Sequence, residues 1–524
     1  MKKLLPKFNW ESLLFFALLT ADLFCYCFLS FYPSLDGPAH LYNAEIFRHL
    51  MAGNESLNSF FEIHKEPIPN YLGTIVLALL RQFFSGPFTE KVFMVLYTLG
   101  ITLSFRLLLR RLSHNGSFVS LLIIPFSHSL LFHIGFYNFS LSFILLFLLL
   151  SYWLNHHKTK GIRHYLIVTT LLILTYFAAV LNFAFVLLAM GSFSLYHAWH
   201  KRTEMPFSHI LKPFILQILP LCIAALPGFV MLLYFLLKTP FAGENTFIPY
   251  QTLFAWLLDL KPLVIYDAKE SSLFRPLGLT LLCMLGYALF KRIIKQGQDG
   301  WGRADFLLLP ALVALMMYFF SPDDAAAGMM SDRYALMFFM FFISWLGAQR
   351  FDNMQIVFTI LLTLSYCQPF VSRNFNRITD LSSQAEQIYQ AGKYIKPESV
   401  VLPVNLSENW LHWHFSNYAG IDKPMIILEN YEAELGWFPI TWNKSNFPKV
   451  QLAGNDSLNG LKWKSNYQSE NDRNIDFVLV YGDVSKLNLM ANAQLYNLLK
   501  TNFIEVYRSN NFVRLFKSTK QQQN

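Results

Sequence analysis

The sequence is poor in charge. Of its 524 residues only 14% are Asp, Glu, Lys or Arg, while 54% are apolar and 17% aromatic; soluble domains carry roughly 25% charge. Too little polar surface is left to clothe a soluble globule. Cysteine is scarce too, and Cys25, Cys27, Cys222, Cys283 and Cys367 all fall inside apolar segments. That excludes a disulfide framework and a Cys-x-x-Cys metal site. No GxGxxG, phosphate-binding loop or Ser-His-Asp pattern occurs, so chemistry driven by a nucleotide is not expected. There is no fixed-period repeat and no low-complexity linker. The net charge of +9 lies in short Lys/Arg clusters between apolar runs, the pattern of membrane loops and not of a nucleic-acid groove.

What the chain does have is a series of apolar runs near 12–32, 69–85, 88–106, 118–134, 138–155, 165–181, 183–199, 213–236, 276–290, 306–320, 334–348 and 355–370. Most approach the ~20 residues that cross ~30 Å of hydrocarbon. The first follows Lys2, Lys3 and Lys7; being long, without an AxA-like exit and followed by further spans, it reads as a retained helix and not a signal peptide. The 69–85 run decides the topology, because every later loop inverts if it crosses. If it lies along the interface, 14 Lys/Arg of the later loops are cytoplasmic (Arg106, Arg110, Arg111, Lys158, Lys160, Arg163, Lys201, Arg202, Lys212, Lys291, Arg292, Lys295, Arg303, Arg350). Only 5 (Lys238, Lys261, Lys269, Arg275, Arg333) are then outside. The positive-inside bias therefore makes 69–85 an interfacial helix. The expectation is a polytopic α-helical membrane protein of the plasma or inner membrane, with about eleven transmembrane helices in residues 1–370 and the N-terminus cytoplasmic.

The first outer loop, 33–87, begins YPSLDGPAHLYNAEIFRHL and carries an amphipathic helix near 38–52, with Leu41, Ile46, Phe47, Leu50 and Met51 opposite Glu45, Arg48 and His49. Outer loops 237–275 and 321–333 are also large. After residue 370 the composition turns polar, and 371–524 reads as an extracytoplasmic α/β domain. It has a helix at 377–395, strands at 400–404 and 475–482, a helix near 487–501 and a closing strand pair. Its apolar set (Val400, Leu402, Val478, Leu479, Val480, Leu515) predicts a core that melts cooperatively by itself; the tail KSTKQQQN is expected to be disordered.

Several residues are placed to carry chemistry. Asp36 lies where the first span leaves the bilayer, between Pro33 and Gly37-Pro38, with His40 one helical turn on. It has two readings, which are compatible: general base on an acceptor hydroxyl or amine, or N-cap of the following helix. In EIHKEPIPNY (62–71), His64 and Lys65 stand where a cation meets lipid phosphate, or where a lysine simply snorkels to the interface. The turn FHIGFYNFSLSF (132–143) puts His133 and Asn138 near the outer surface, among aromatics that a membrane belt alone explains. Asp323, Asp324, Asp332 and Arg333 share the last large outer loop, where Arg333 can clamp a phosphate and the acids can be a solvated hairpin. His412-Trp413-His414 lacks a carboxylate or Cys at metal spacing, so no metal is assigned. Asp22, inside the first span, has no explanation in the sequence.

The residues at 32–51 and 62–73, with the K-x-P-x-P-x-Y run Lys65 to Tyr71, resemble the GT-C class of integral-membrane glycosyltransferases, the group of protein O-mannosyltransferases, lipid A aminoarabinose transferases and lipopolysaccharide-core transferases. As architecture the resemblance covers residues 1–370. It implies a polyprenyl-phosphate sugar donor and a surface glycan, lipid or protein acceptor; no cofactor is indicated, a divalent metal being compatible with the group but not called for by these residues. It also implies Asp36 as base, with Lys65 at the donor phosphate. His40, His64, His133, Asn138 and Arg333 are the further substrate-binding candidates. The chain departs from the group in having Asp36-Gly37 where many members have paired acids, and His133 and Asn138 where many have a second acid. Against this stand a transporter or flippase, which would hold its ionisable residues near the midplane, and a non-catalytic partner in polysaccharide assembly.

Overall fold

The computed structural model describes residues 10–113, 116–157, 159, 161–200, 211–238, 245–294, 302–324, 328–349, 351, 353–443, 450–452, 461–463, 475–489 and 492–519. Lys2, Lys3, Lys7, Lys158, Lys160, Lys201, Arg202, Lys295, Arg350 and the tail 520–524 lie outside them. The chain forms two compact units. One comprises Met1–Cys25, Val95–His133 and Asn138–Ser372, the other Tyr26–Met94, Ile134–Tyr137 and Arg373–Asn524.

The first unit is helical. Among the described residues 6 helices are long and apolar enough to cross a membrane: Trp10–Phe28, Gly86–Leu112, Tyr137–His156, Val180–Trp199, Ile218–Lys238 and Ala268–Ile294. Phe118–Ile134, Ile162–Ala178, Ala304–Phe320 and Asn353–Tyr366 are shorter apolar helices, and Met330–Gly347 is buried along most of its length. The run at 118–134 is broken, passing from a 3₁₀ segment at Gly116–Leu122 through Ile123–Ser127 to Leu130–Ile134. The break seats His128 against Asp22, Nε2 to Oδ1 at 2.8 Å with both side chains buried. An acid inside an apolar helix is tolerated when paired in this way, which accounts for Asp22.

Arg106 Nη2 donates to Glu11 Oε2 at 2.8 Å and to Ser12 Oγ at 3.0 Å, and Arg110 reaches the same hydroxyl at 3.3 Å. The end of helix Gly86–Leu112 therefore lies beside the start of the first helix. The helix between them, Leu72–Leu80, has 9 residues and is ~14 Å long, less than half the ~30 Å of hydrocarbon.

The second unit is built on a five-stranded mixed sheet in the order Ile426–Ile427, Val400–Leu406, Phe477–Gly482, Val513–Ser518, Phe503–Ser509. The first two pairings are parallel and the last two antiparallel. Val400–Leu406 is buried at every position, as suits the apolar run VVLPV. Ile426–Ile427 pairs only with Val400 and Val401, so at Pro403 one side of the strand has no ladder to break. Helices Thr379–Gly392 and Ala493–Asn502 complete the expected pattern.

The first loop belongs to this unit as well. Strand Phe61–Ile63 runs antiparallel to Ile440–Trp442, with Phe61 stacked on Trp442 at 4.4 Å. Tyr42 donates to Met425 O at 2.8 Å and accepts from Ile427 N at 3.0 Å. Phe31 packs edge-on to Tyr418 at 4.7 Å. The second unit takes in 26–94 and 134–137 together with Arg373–Asn524.

One expectation changes with it. Helix Gly37–Met51 is buried on nearly all sides, including Glu45 on its supposed solvent face, while Met51 on the supposed apolar face is 68% exposed. Glu45 stays buried because donors converge on it: Arg48 at 2.7 Å, His49 at 3.1 Å and Arg81 at 3.2 Å. Arg81 also reaches Asp422 at 3.0 Å. Burial would raise the Glu45 carboxyl, but His49, Arg48 and Arg81 bring it down to about 2.

Candidate functional site

Asp36 occupies the N-cap position of helix Gly37–Met51, yet its side chain makes no cap hydrogen bond. Ser34 takes over that task. Its Oγ accepts from the Gly37 N–H at 3.0 Å and shares a 2.9 Å hydrogen bond with the Tyr137 hydroxyl. The Asp36 N–H donates to Ile134 O at 2.9 Å. Gly135 then turns at φ +97, where a Cβ would lie 2.8 Å from Asp36 Cβ and 2.9 Å from the nitrogens of Asp36 and Gly37. Only glycine lets the 134–137 turn approach the loop so closely. The carboxylate is thereby turned away from the helix.

It faces two histidines, each backed by an acid from the C-terminal region. His414 Nε2 lies 3.6 Å from Asp36 Oδ1, and His414 Nδ1 contacts Glu429 Oε1 at 2.7 Å. Glu429 also accepts from Ser416 Oγ at 3.2 Å and Asn417 Nδ2 at 2.6 Å. On the other side His40 Nε2 meets Gly135 O at 2.8 Å; a carbonyl only accepts, so this nitrogen carries hydrogen. His40 Nδ1 lies 2.7 Å from Glu432 Oε1. That approach is off the hydrogen-bond direction, leaving both buried oxygens of Glu432 without a directed donor among the described residues. The Tyr431 hydroxyl is buried beside Asp36, close enough to interact but making no well-directed hydrogen bond.

Burial pushes the Asp36 carboxyl above its ordinary range, and His414 and His40 draw it only part of the way back. For His40 burial acts downward, but the Glu432 and Asp36 carboxylates more than offset it and hold the imidazole above its usual value. Burial also raises the Tyr431 phenol, with Asp36 and Glu432 adding to the effect. The result is a sequestered carboxyl of raised proton affinity between two basic rings, a combination concentrated at functional sites.

The other sequence candidates are placed as follows. His64 lies in the second unit, where its N–H donates to Pro439 O at 2.8 Å and its Nδ1 accepts from Glu66 N at 3.4 Å. Lys65 is exposed, and its ammonium makes no ion pair among the described residues. His133 and Asn138, expected at the outer surface, are buried in the helical unit; His133 Nδ1 lies 3.5 Å from the Tyr266 hydroxyl. In that unit Arg333 donates to Gly328 O at 3.1 Å and stacks over Phe139 at 5.4 Å. The acids before it are structural: Asp323 Oδ1 accepts from Ser331 N at 2.9 Å and Asp324 Oδ1 from Thr246 N at 2.9 Å. Asp36 and His40 are the two candidates brought into one cluster.

The sequence reading missed His414, Glu429, Tyr431 and Glu432. Traces of them existed in the His-Trp-His triplet and in the acidic run LENYEAE (428–434), whose acids at 429 and 432 fold inward. The two histidines of the triplet part company. Both nitrogens of His412 are taken, by Ser407 Oγ at 2.7 Å and Gln384 Oε1 at 2.8 Å, and burial lowers it to about 4. Among the described residues no group of three or more His, Cys, Asp or Glu is arranged to hold a metal ion.

No protein-family model and no curated protein matches the sequence. Among solved structures the chain is similar to the crystal structure of ArnT from Cupriavidus metallidurans in the apo state, at 9% identity and a TM-score of 0.49 over 96% of this chain and 97% of that one. A TM-score below 0.5 assigns neither family nor activity, so the site is read from its own residues.

Proposed function

We propose that the chain is a membrane glycosyltransferase that moves a sugar from a polyprenyl-phosphate donor to an extracytoplasmic glycan, lipid or protein acceptor, with Asp36 as general base. One observation carries the reading: a carboxylate at a helix cap that does not cap, buried between His414 and His40 and raised in proton affinity. A base works best when its pKa approaches the operating pH. In the transfer, the acceptor O–H gives its proton to an Asp36 oxygen as the acceptor oxygen attacks the anomeric carbon. The bond from that carbon to the phosphate oxygen breaks, and its electron pair leaves on the phosphate. Within the unit that holds Asp36, Lys65 is the proposed contact for that developing charge, and His40 and His64 the proposed contacts for donor and acceptor.

A transport reading draws on a different observation, the buried Asp22–His128 pair inside the apolar helices, since intramembrane ionisable pairs often mark translocation paths. The two separate in proteoliposomes loaded with polyprenyl-phosphate sugars and an envelope glycolipid fraction. A transferase releases sugar-free polyprenyl phosphate; a transporter moves the lipid intact. Translocation of intact donor with no release by wild-type protein overturns the proposal.

A further inference from the structure

We propose that His414 and Glu429 form the route by which Asp36 sheds the proton it takes, so that the C-terminal region sets the basicity of a residue on the first loop. That the proton comes from an acceptor rests on the transferase reading; the coupling itself does not. Glu429 fixes the ring. With Ser416 and Asn417 donating to Oε2 and His414 Nδ1 on Oε1, the hydrogen sits on Nδ1 and Nε2 is left facing Asp36. The 3.6 Å gap is too long for a resting hydrogen bond, and a small side-chain rotation closes it. The His414 side chain is 12% exposed, enough for exchange with water.

The groups around Asp36 are His40 on its own helix, His414, Tyr431 and Glu432 from the C-terminal region, and Tyr137 from the neighbouring turn. Around His414 stand Asp36, Glu429 and the Tyr431 ring, 4.5 Å away. The step balances. The Asp36 O–H bond breaks and its electron pair stays on the carboxylate; an Nε2–H bond forms; the imidazolium is held by Glu429 and then yields that proton to bulk water. His414 and Glu429 act through Asp36 and are positioning residues. Once it holds that proton, His414 is the opposite charge that favours the Asp36 carboxylate against burial.

The test reads Asp36 directly, through the C=O stretch of its protonated carboxyl in pH-difference infrared spectra of the full-length protein, assigned by its loss in Asp36→Asn. A nearby opposite charge moves a carboxyl pKa by about 1–3 units, so in His414→Gln the midpoint rises by about one unit or more, a tenfold gain in proton affinity. Glu429→Gln, which removes the acid that holds the imidazolium, moves it the same way. His414→Asn, whose amide keeps the Glu429 bond, serves if the Gln variant fails to fold. A midpoint that stays put or falls in folded variants overturns the proposal, whatever the donor assay shows. A rise without donor consumption by the wild type leaves the coupling standing and removes the transferase reading.

Discussion

Asp36 and Ser34 should exchange the effects that their positions suggest. By sequence Asp36 is the cap, and replacing a cap by Ala costs ~0.5–2 kcal/mol. In the structure that work falls to Ser34, which is 1% exposed and bonded to both the Gly37 N–H and the Tyr137 hydroxyl. Ser34→Ala removes the cap and leaves two buried polar groups short of a partner, a loss of about 2 kcal/mol. For a unit of 150–250 residues that is a fall of ~4–8 °C in Tm. Asp36 works in the opposite sense. A carboxyl whose folded pKa lies above its unfolded value destabilises the fold increasingly as pH rises from the unfolded value through the folded one, and Asp36 is such a group. Asp36→Asn and Asp36→Ala should therefore leave Tm at pH 7 unchanged or higher. Transfer should fall by a factor on the order of 10²–10⁴ in both, the usual contribution of a general base. The assays are a thermal melt in detergent and release of polyprenyl phosphate from the donor on matched amounts of folded protein. If Asp36→Ala lowers Tm as Ser34→Ala does, Asp36 is a cap after all; if Asp36→Asn keeps full activity, it is not a base.

Gly135→Ala forces a Cβ to within 2.8 Å of Asp36 at a positive φ; transfer should fall at least tenfold with Asp36 intact, and wild-type kinetics would show that the turn does not position the acid. Glu45, held at about 2 against an ordinary 4.5, contributes stability that is fully present above pH 4.5 and lost as pH falls through 2. The stability gap between wild type and Glu45→Gln, on the order of 3 kcal/mol at pH 7, should close in acid when read from thermal melts, and a gap independent of pH would contradict the buried ion cluster around Glu45. A cysteine at Ser113 should resist labelling by an impermeant maleimide from the outer side while one at Ser383, exposed on helix Thr379–Gly392, reacts; outer labelling of Ser113 would reverse the orientation drawn from positive charge.

The apolar runs were readable because a span needs length and little else, and each expected one is helical. Asp36 and the helix after it were readable from the Pro and Gly that frame them. The rest of the cluster was not. His414, Glu429 and Glu432 lie hundreds of residues downstream and reach Asp36 only because Tyr42 is clasped by Met425 and Ile427 beside the sheet, a register that no local pattern encodes. Glu45 was misjudged for the same reason: its partner Arg81 lies 36 positions away, and a helical wheel shows a charged face without showing what covers it. The expectation that 371–524 melts cooperatively alone meets a physical obstacle as well, since Tyr418 and Ile427 would lose Phe31 and Tyr42.

The pairing of strand Phe61–Ile63 with Ile440–Trp442 has a consequence for biogenesis. At ~5–20 residues per second the ribosome needs on the order of half a minute to pass from the first loop to the sheet that completes it. Throughout that interval the loop waits with Phe31, Tyr42 and Phe61 uncovered, its edge strand unpaired and Asp36 open to water. A chain assembled in this order cannot close the cluster around Asp36 until that downstream segment has been made, so a chain truncated by early termination leaves Asp36 without His414 and Glu432.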